Sequence, residues 1–316
     1  MNAHVTVVGS LNMDLVARAP RIPQPGETII GGDFHTVPGG KGANQAVAAA
    51  RLGAQVSMVG RVGHDAFARP LLDNLAADGV DHTFVTQDPE AATGVALIVV
   101  DDAGQNSIVV ASGANMRLSP ADVDAAEAVI AAADALLLQL ESPLETVTRA
   151  AEVARAHGVT VILNPAPARS LPAALLSLVD VLIPNESETT LLTGRHIEDQ
   201  AEAEAAAAAL RGLGVGTVIL TLGERGALLA REEGAELFPA FHVTPVDTTA
   251  AGDAFVGGFA AALAGGESLI EAVRWGNAAG ALATTRLGAQ PSLPTRRAVE
   301  TLLAGGTTKS AGGDST

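Results

Sequence analysis

The sequence predicts an α/β fold: a mainly parallel central sheet with helices on both faces, and a small β-sheet lid projecting from it. Three observations carry that expectation. Short apolar, β-branched runs alternate with longer stretches of helical period, the pattern of strands buried on both faces. Two pairs of strand-like runs in the first third have turn residues but no helical pattern between them. Of the 316 residues, 48% are hydrophobic and 17% charged, enough apolar material for a sizeable core and against disorder over most of the length.

In chain order, residues 5–8, 56–59, 135–138, 159–163, 179–183 and 217–220 read as central strands. Helical patterns at 43–52, 120–132, 144–157 and 201–213 read as crossovers between them. The lid is expected from runs at 15–18, 28–37, 93–100 and 107–110, set off by Pro25-Gly26, Gly31-Gly32 and Ala103-Gly104. Three successive helices are expected at 252–263, 268–283 and 295–303, with Ser268 as N-cap before Glu271. No repeat or interior linker divides the chain. Residues 1–304 are therefore expected to form one domain, with lid strands within about 14–37 and 93–110. Residues 305–316, mostly Gly, Ser and Thr, cannot bury a core and are expected to be a disordered tail.

Charge narrows the partners. Lys+Arg 19 against Asp+Glu 35 gives −16, with the basic residues scattered, so no nucleic-acid partner is expected. The absence of cysteine excludes disulfides, thiolate nucleophiles, iron–sulfur clusters and cysteine zinc sites. The seven histidines show no metal-ligand spacing. The longest uncharged, mainly apolar run, 254–266, is 13 residues. That is too short to span a bilayer, so no membrane partner is expected. No signal-peptide pattern opens the sequence, and the cytoplasm is the expected location. Gly40-Lys41 is followed by Gly42 rather than Ser or Thr, and Gly9-Ser10-Leu11-Asn12 follows the first strand. Both facts disfavour a P-loop NTPase and a dinucleotide-binding dehydrogenase.

Two strings carry the chemistry. In D-T-T-A-A-G-D-A-F-V-G-G-F, residues 247–259, small residues at 250–252 precede a helix whose free N–H groups make an anion site. Such a site suits charge growing on a phosphoryl group, and Asp253 beside it could take a proton from an attacking hydroxyl. Asp253 alone reads more readily as a helix cap, and it is the whole 13-residue string that reverses this. In P-G-G-K-G-A-N-Q, residues 38–45, glycines let the backbone approach a polar ligand, with Lys41 and Asn44 as donors. Asn12 and Asp14 stand just past the first strand, where open α/β sheets bind ligands, and can bond vicinal hydroxyls or simply form a turn.

These two strings resemble the signatures of the PfkB (ribokinase-like) carbohydrate kinase family. Further similar strings are G-S-L-N-M-D at 9–14, Q-L-E-S-P at 139–143, L-N-P-A-P-A at 163–168, P-N-E at 184–186, T-L-G at 221–223 and R-L-G-A-Q-P-S at 286–292. The resemblance covers about residues 5–300. It implies a ribokinase-like three-layer α/β/α sandwich and ATP-dependent phosphorylation of D-ribose at O5. Asp253 would be the base, and the backbone of Ala250, Ala251 and Gly252 the anion hole. Asn12, Met13, Asp14, Gly40, Lys41, Gly42, Ala43, Asn44, Glu141 and Asp253 would line the sugar pocket. Asn185, Glu188, Thr221, Leu222, Gly223, Glu224, Arg225, Gly226, Gly252 and Asn277 would hold ATP. The N-x-x-E string at 185–188 is linked to Mg2+ and phosphate, although Glu188 could also sit on a solvated helix face. Asp247, Thr249, Ala283, Arg286, Gly288 and Ser292 would supply oxygens to K+, though Asp247 and Ser292 also suit turns. A homodimer through the lid is implied as well.

Two positions depart from the family pattern: Asn277 where histidine is frequent, and Met13 where a smaller residue is usual. A family kinase for another sugar such as 2-deoxyribose, or for a nucleoside, is the alternative. A nucleoside kinase would want an aromatic clamp, and aromatics are 3% of the chain with no Tyr and one Trp. A non-catalytic sugar sensor would be expected to have lost Asp253 or Gly252.

Overall fold

A computed structural model describes residues 3–305, so nearly all of the expected tail lies outside the described residues. The chain forms, in order, β1 (His4–Val8), β2 (Asn12–Arg18), β3 (Phe34–Gly39), α1 (Lys41–Arg51), β4 (Gln55–Gly63), α2 (Ala68–Ala77), β5 (Asp81–Asp88), β6 (Gly94–Val100) and β7 (Asn106–Ala111). Then come α3 (Pro120–Ala125), α4 (Glu127–Ala131), β8 (Ala135–Leu138), α5 (Leu144–Ala156), β9 (Thr160–Leu163), α6 (Ala173–Leu176), β10 (Val181–Leu182), α7 (Glu186–Thr193) and α8 (Gln200–Arg211). The last are β11 (Thr217–Thr221), β12 (Ala227–Arg231), β13 (Gly234–Phe238), α9 (Ala251–Ala264), α10 (Leu269–Ala283) and α11 (Arg296–Leu303).

The central sheet has nine strands in the order β13-β12-β11-β10-β9-β8-β1-β4-β5. The pairs from β11 through β1 to β5 are parallel, and β12 and β13 close one edge antiparallel. Strand alternation divides the apolar residues between two cores. Leu137 and Ile219 join one with α1, α9 and α10; Leu136, Leu138, Val218 and Leu220 join the other with α5 and α8. The result is a three-layer α/β/α sandwich.

Strand order reverses between β1 and β8, with β4 and β5 on one side and β9 to β11 on the other. Open α/β sheets leave a crevice beyond the strand ends at such a point. From β1 the chain passes directly into the lid, a four-stranded sheet ordered β3-β2-β6-β7. Its pairs β2/β3 and β6/β7 are antiparallel, as expected, while β2 and β6 run parallel.

Boundaries differ in places. The expected 28–37 strand is only β3, which starts at Phe34; residues 27–33 lead into it without regular structure, although Arg18 still bonds Asp33 O at 3.0 Å and Gly32 N at 2.8 Å. The expected 120–132 helix is two short helices that meet at Ala126. Strand β5 and the β12–β13 hairpin carried no sequence-based expectation.

Candidate active site

Asp253 lies in the first turn of α9 and is 6% exposed. Its Oδ2 accepts from Asn44 Nδ2 at 2.9 Å and its Oδ1 from Gln45 Nε2 at 3.0 Å. Both donors belong to α1, which presses against α9 because Gly257 has no side chain. A Cβ there would stand 2.5 Å from Ala48 Cβ and 2.8 Å from Gln45 O. The close approach of two helices thus brings the 38–45 string onto the 247–259 string.

Ala250, immediately before α9, has φ 59, the only positive φ of a non-glycine residue among the described residues. Such a conformation costs about 1–3 kcal/mol and clusters at functional sites. The turn it forms ties Ala251 N–H to Thr248 O at 3.2 Å. The amides of Ala250, Gly252 and Asp253 have no partner among the described residues, so the free donors are not the expected 250–252 set but that set shifted past Ala251. They face a cavity of about 220 Å³ lined by Lys41, Asn164, Asn185, Glu188, Thr221, Thr248, Ala250, Gly252, Asp253 and neighbours. A larger cavity, about 570 Å³, opens at the opposite ends of β1 and β4. Thr6 Oγ1 there is spent on Val129 O at 3.0 Å and Asp78 on Arg51 at 2.7 Å, and none of its lining residues belongs to either string, whereas the smaller cavity is lined by both.

The sugar-side residues converge at the reversal point. Asn12 and Asp14 open strand β2 rather than a turn, and alternate residues of a strand share a face. Asn12 is oriented by Asn115, whose Nδ2 donates to Asn12 Oδ1 at 2.7 Å, so Asn12 Nδ2 remains a free donor. Asn115 itself is held by Leu11 N–H and C=O. No protein donor among the described residues reaches the Asp14 carboxylate. Burial, then Glu141 and Asp253, push its pKa up to about 7. Glu141 Oε2 accepts from Ser10 Oγ at 2.5 Å and Lys41 N at 3.1 Å, joining the ends of β1 and β8 to α1. Asp253, partly offset by burial, then Glu141 and Glu188, hold the Lys41 ammonium above its ordinary pKa. Asn44 Oδ1 is buried without a partner. Gly42 and Ala43 spend their amides on Ser10 Oγ (3.2 Å) and Ser10 O (2.9 Å). Met13 is a correction: it faces the other way on β2 and lies 3% exposed in the apolar core.

On the nucleotide side, Asn185 and Glu188 form a capping box at the start of α7. Glu188 N–H donates to Asn185 Oδ1 (2.8 Å) and Asn185 N–H to Glu188 Oε2 (2.9 Å). Glu188 is 6% exposed, which overturns a solvated helix face. Burial raises its pKa, with Asn185 N–H and Lys41 opposing. Thr221 ends β11 beside Asn185. Leu222 turns its side chain into the second core, while Gly223, Glu224 and Arg225 form a short turn with Arg225 paired to Glu186. Gly226, at φ 99, packs so closely that a Cβ would meet Phe238 O at 2.0 Å. Asn277 Nδ2 donates to that same carbonyl at 3.1 Å, so two distant expected residues meet there.

The expected cation segments also meet. Val246 and Asp247 N–H donate to Thr284 O at 2.7 and 3.1 Å. Asp247 Oδ1 accepts from Thr249 N and Oγ1, and Oδ2 from Gly288 N at 2.8 Å. Burial raises the Asp247 pKa, but these donors outweigh it and leave the group below its ordinary value. Ser292 Oγ donates to Ala289 O at 2.7 Å. Arg286 N donates to Ala283 O at 3.4 Å at the end of α10.

Comparison with known proteins gives this geometry its context. The pfkB family of carbohydrate kinases matches residues 2–296. The chain is 46% identical to the ribokinase of Haemophilus influenzae over 297 residues, 94% of this chain and 97% of that one. It is 42% identical to the deoxyribokinase of Salmonella typhi over 257 residues, 81% of this chain and 84% of that one. The structure of Arabidopsis thaliana ribokinase complexed with ribose and ATP superimposes with a TM-score of 0.89 at 35% identity, covering 96% of this chain and 99% of that chain. The chain belongs to the pfkB family of ATP-dependent carbohydrate kinases. Gln139 and Asn164 carried no expected role, since an isolated amide at the end of an apolar run has no periodic signal, and neither Gln45 within its string nor Asn115 was given one. No helix among the described residues is long and apolar enough to cross a membrane.

Proposed function

We propose that this chain transfers the terminal phosphoryl group of Mg·ATP to O5 of D-ribose, giving D-ribose 5-phosphate and ADP. The observation that carries this is the Asp253 carboxylate, buried beside the free N–H groups of Gly252 and Asp253, bonded to Asn44 and near enough to Asp14 to help raise its pKa. Asp14 accepts from the vicinal sugar hydroxyls, Asn12 Nδ2 donates to them, and the orphan Asn44 Oδ1 takes a further hydroxyl. Asp253 receives the proton of the attacking hydroxyl. The α9 amides and Lys41 face the charge that grows on the phosphoryl oxygens. The lid strands exclude water, which would otherwise compete as acceptor.

The residues present fit the implied groups. Asn185, Thr221 and Gly223 to Gly226 border the nucleotide side, where the missing Cβ of Gly226 lets the 238–240 backbone pack against that turn, and Glu188 presents the negative charge suited to Mg2+. For K+, the 247–249 turn and the 283–292 segment are already joined. Carbonyls of Ala283, Arg286 and Gly288, with Asp247, Thr249 and Ser292, form an all-oxygen donor set of the kind a weakly charged cation takes. A bound cation there fixes the loop that aims the α9 amides. We also infer a homodimer through the lid and, because ATP is the donor, a cytoplasmic setting.

The test is coupled ADP release with ribose, 2-deoxyribose, fructose and adenosine. Ribose is expected to give the highest kcat/KM. Loss of one buried hydroxyl's partners costs about 1–3 kcal/mol, so 2-deoxyribose should be roughly 5- to 150-fold worse. A higher kcat/KM for 2-deoxyribose would place the chain with the deoxyribokinases instead, and one for fructose or adenosine would refute the pentose assignment.

A further inference from the structure

Two amides at the ends of sheet strands, half-buried Asn164 and buried Gln139, converge on buried Gln45, which reaches Asp253. Asn164, just beyond β9, donates from Nδ2 to Ile183 O at 2.9 Å. A backbone carbonyl can only accept, so the Asn164 amide must turn its nitrogen there and its Oδ1 toward α1. Gln45 Nε2 lies 3.2 Å from that Oδ1 and 3.0 Å from Asp253 Oδ1, one hydrogen for each. Gln45 Oε1 in turn accepts from Gln139 Nε2, beyond β8, at 2.7 Å. Flipping the Gln45 amide would set oxygen against the Asp253 carboxylate and against Asn164 Oδ1, and nitrogen against nitrogen at Gln139. Gln45 and Gln139 are 0% and 1% exposed, so water cannot rescue a flipped state.

We propose that Gln45, locked by Asn164 and Gln139, is a positioning residue that fixes the rotamer of Asp253 for proton abstraction. The proposal rests on the assignment of Asp253 as the base. Gln45 donates to Oδ1 and Asn44 to Oδ2, so two donors from neighbouring positions of α1 fix the plane of the carboxylate. Asn44 leaves its own Oδ1 unpartnered, whereas Gln45 is held at both ends of its amide. Gln45 acts by direct contact, Asn164 and Gln139 only through Gln45.

The experiment is steady-state kinetics of wild type, Gln45→Met, Gln139→Met and Asp253→Asn, each checked for folding by circular dichroism melting. Gln45→Met should lower kcat about tenfold, because the base is no longer held in line. KM for ribose and ATP should stay within about threefold, a split that a merely structural loss would not give. Gln139→Met should lower kcat by less with KM likewise kept, and it decides the matter if Gln45→Met does not fold. A wild-type kcat in a folded Gln45→Met variant, or a KM that rises as much as kcat falls, overturns the proposal. Asp253→Asn separates the two failures. If it is inactive while the glutamine variants keep the wild-type kcat, only this proposal falls. If it turns over near the wild-type rate, the base assignment falls first.

Discussion

Asp14 concentrates the cost of this site in one side chain. It is a nearly buried carboxylate without a protein donor, near Glu141 and Asp253, and its pKa rises to about 7. In the free protein that ionisation is unfavourable. Sugar hydroxyls supply the donors the fold withholds. The sign follows: above pH 7 the carboxylate accepts from two hydroxyls, and below it protonation removes that acceptor. KM for ribose is therefore expected to rise several-fold from pH 8 to pH 6 in steady-state assays, and Asp14→Asn should give a high KM that no longer varies over this range. A wild-type KM flat across pH 7 would refute this role. The same shift sets a stability linkage. A carboxyl whose folded pKa exceeds its unfolded value destabilises the fold progressively as pH rises from about 4 to 7. Asp14→Asn should thus raise the melting temperature more at pH 8 than at pH 5, the pattern of a residue kept for binding at the expense of stability.

Elements were legible where periodicity is strong, and the exceptions have physical causes. The parallel strands announced themselves as unbroken apolar runs because both faces are covered. Strand β5 is mostly polar at the sheet edge, and β12, Ala-Leu-Leu-Ala-Arg, has the composition of a helix; only its pairing with β11 and β13 makes it a strand. The start of α9 was legible as a string, but not its working geometry: the left-handed Ala250 and the engaged Ala251 amide depend on the turn at Thr248. That turn hangs on Asp247, whose carboxylate takes three donors from two segments. If K+ completes this junction, activity should rise several-fold in KCl over tetramethylammonium chloride at equal ionic strength, and Asp247→Ala should blunt the rise. Equal rates in the two salts, with protein verified free of potassium, would remove the ion from the mechanism.

At the scale of the molecule, the reversal of strand order between β1 and β8 explains why residues far apart in sequence share one crevice. Ser10 and Asn12 leave β1, Gln139 and Glu141 leave β8, and α1 and α9 cross above them. The lid completes this crevice but cannot satisfy its own surface. Its edge strand β7, paired with β6, places Val109 opposite Leu97 and Ile108 opposite Ile98. Leu97, Ile108 and Val109 are 48%, 51% and 62% exposed in the single chain, on both faces of the sheet. A two-sided apolar sheet at the end of a water-excluding lid is costly in isolation and fits a second copy of itself. Light scattering on the eluting protein should therefore give a dimer at micromolar concentration. Val109→Lys puts a charge where the single chain leaves the side chain in water, so its melting should change little while the dimer dissociates. A lid released from its partner closes less firmly over the sugar, so KM for ribose should rise more than kcat falls in that variant. A wild-type protein of monomer mass over the working concentration range would refute the dimer, and a dimer untouched by Val109→Lys would move the interface elsewhere.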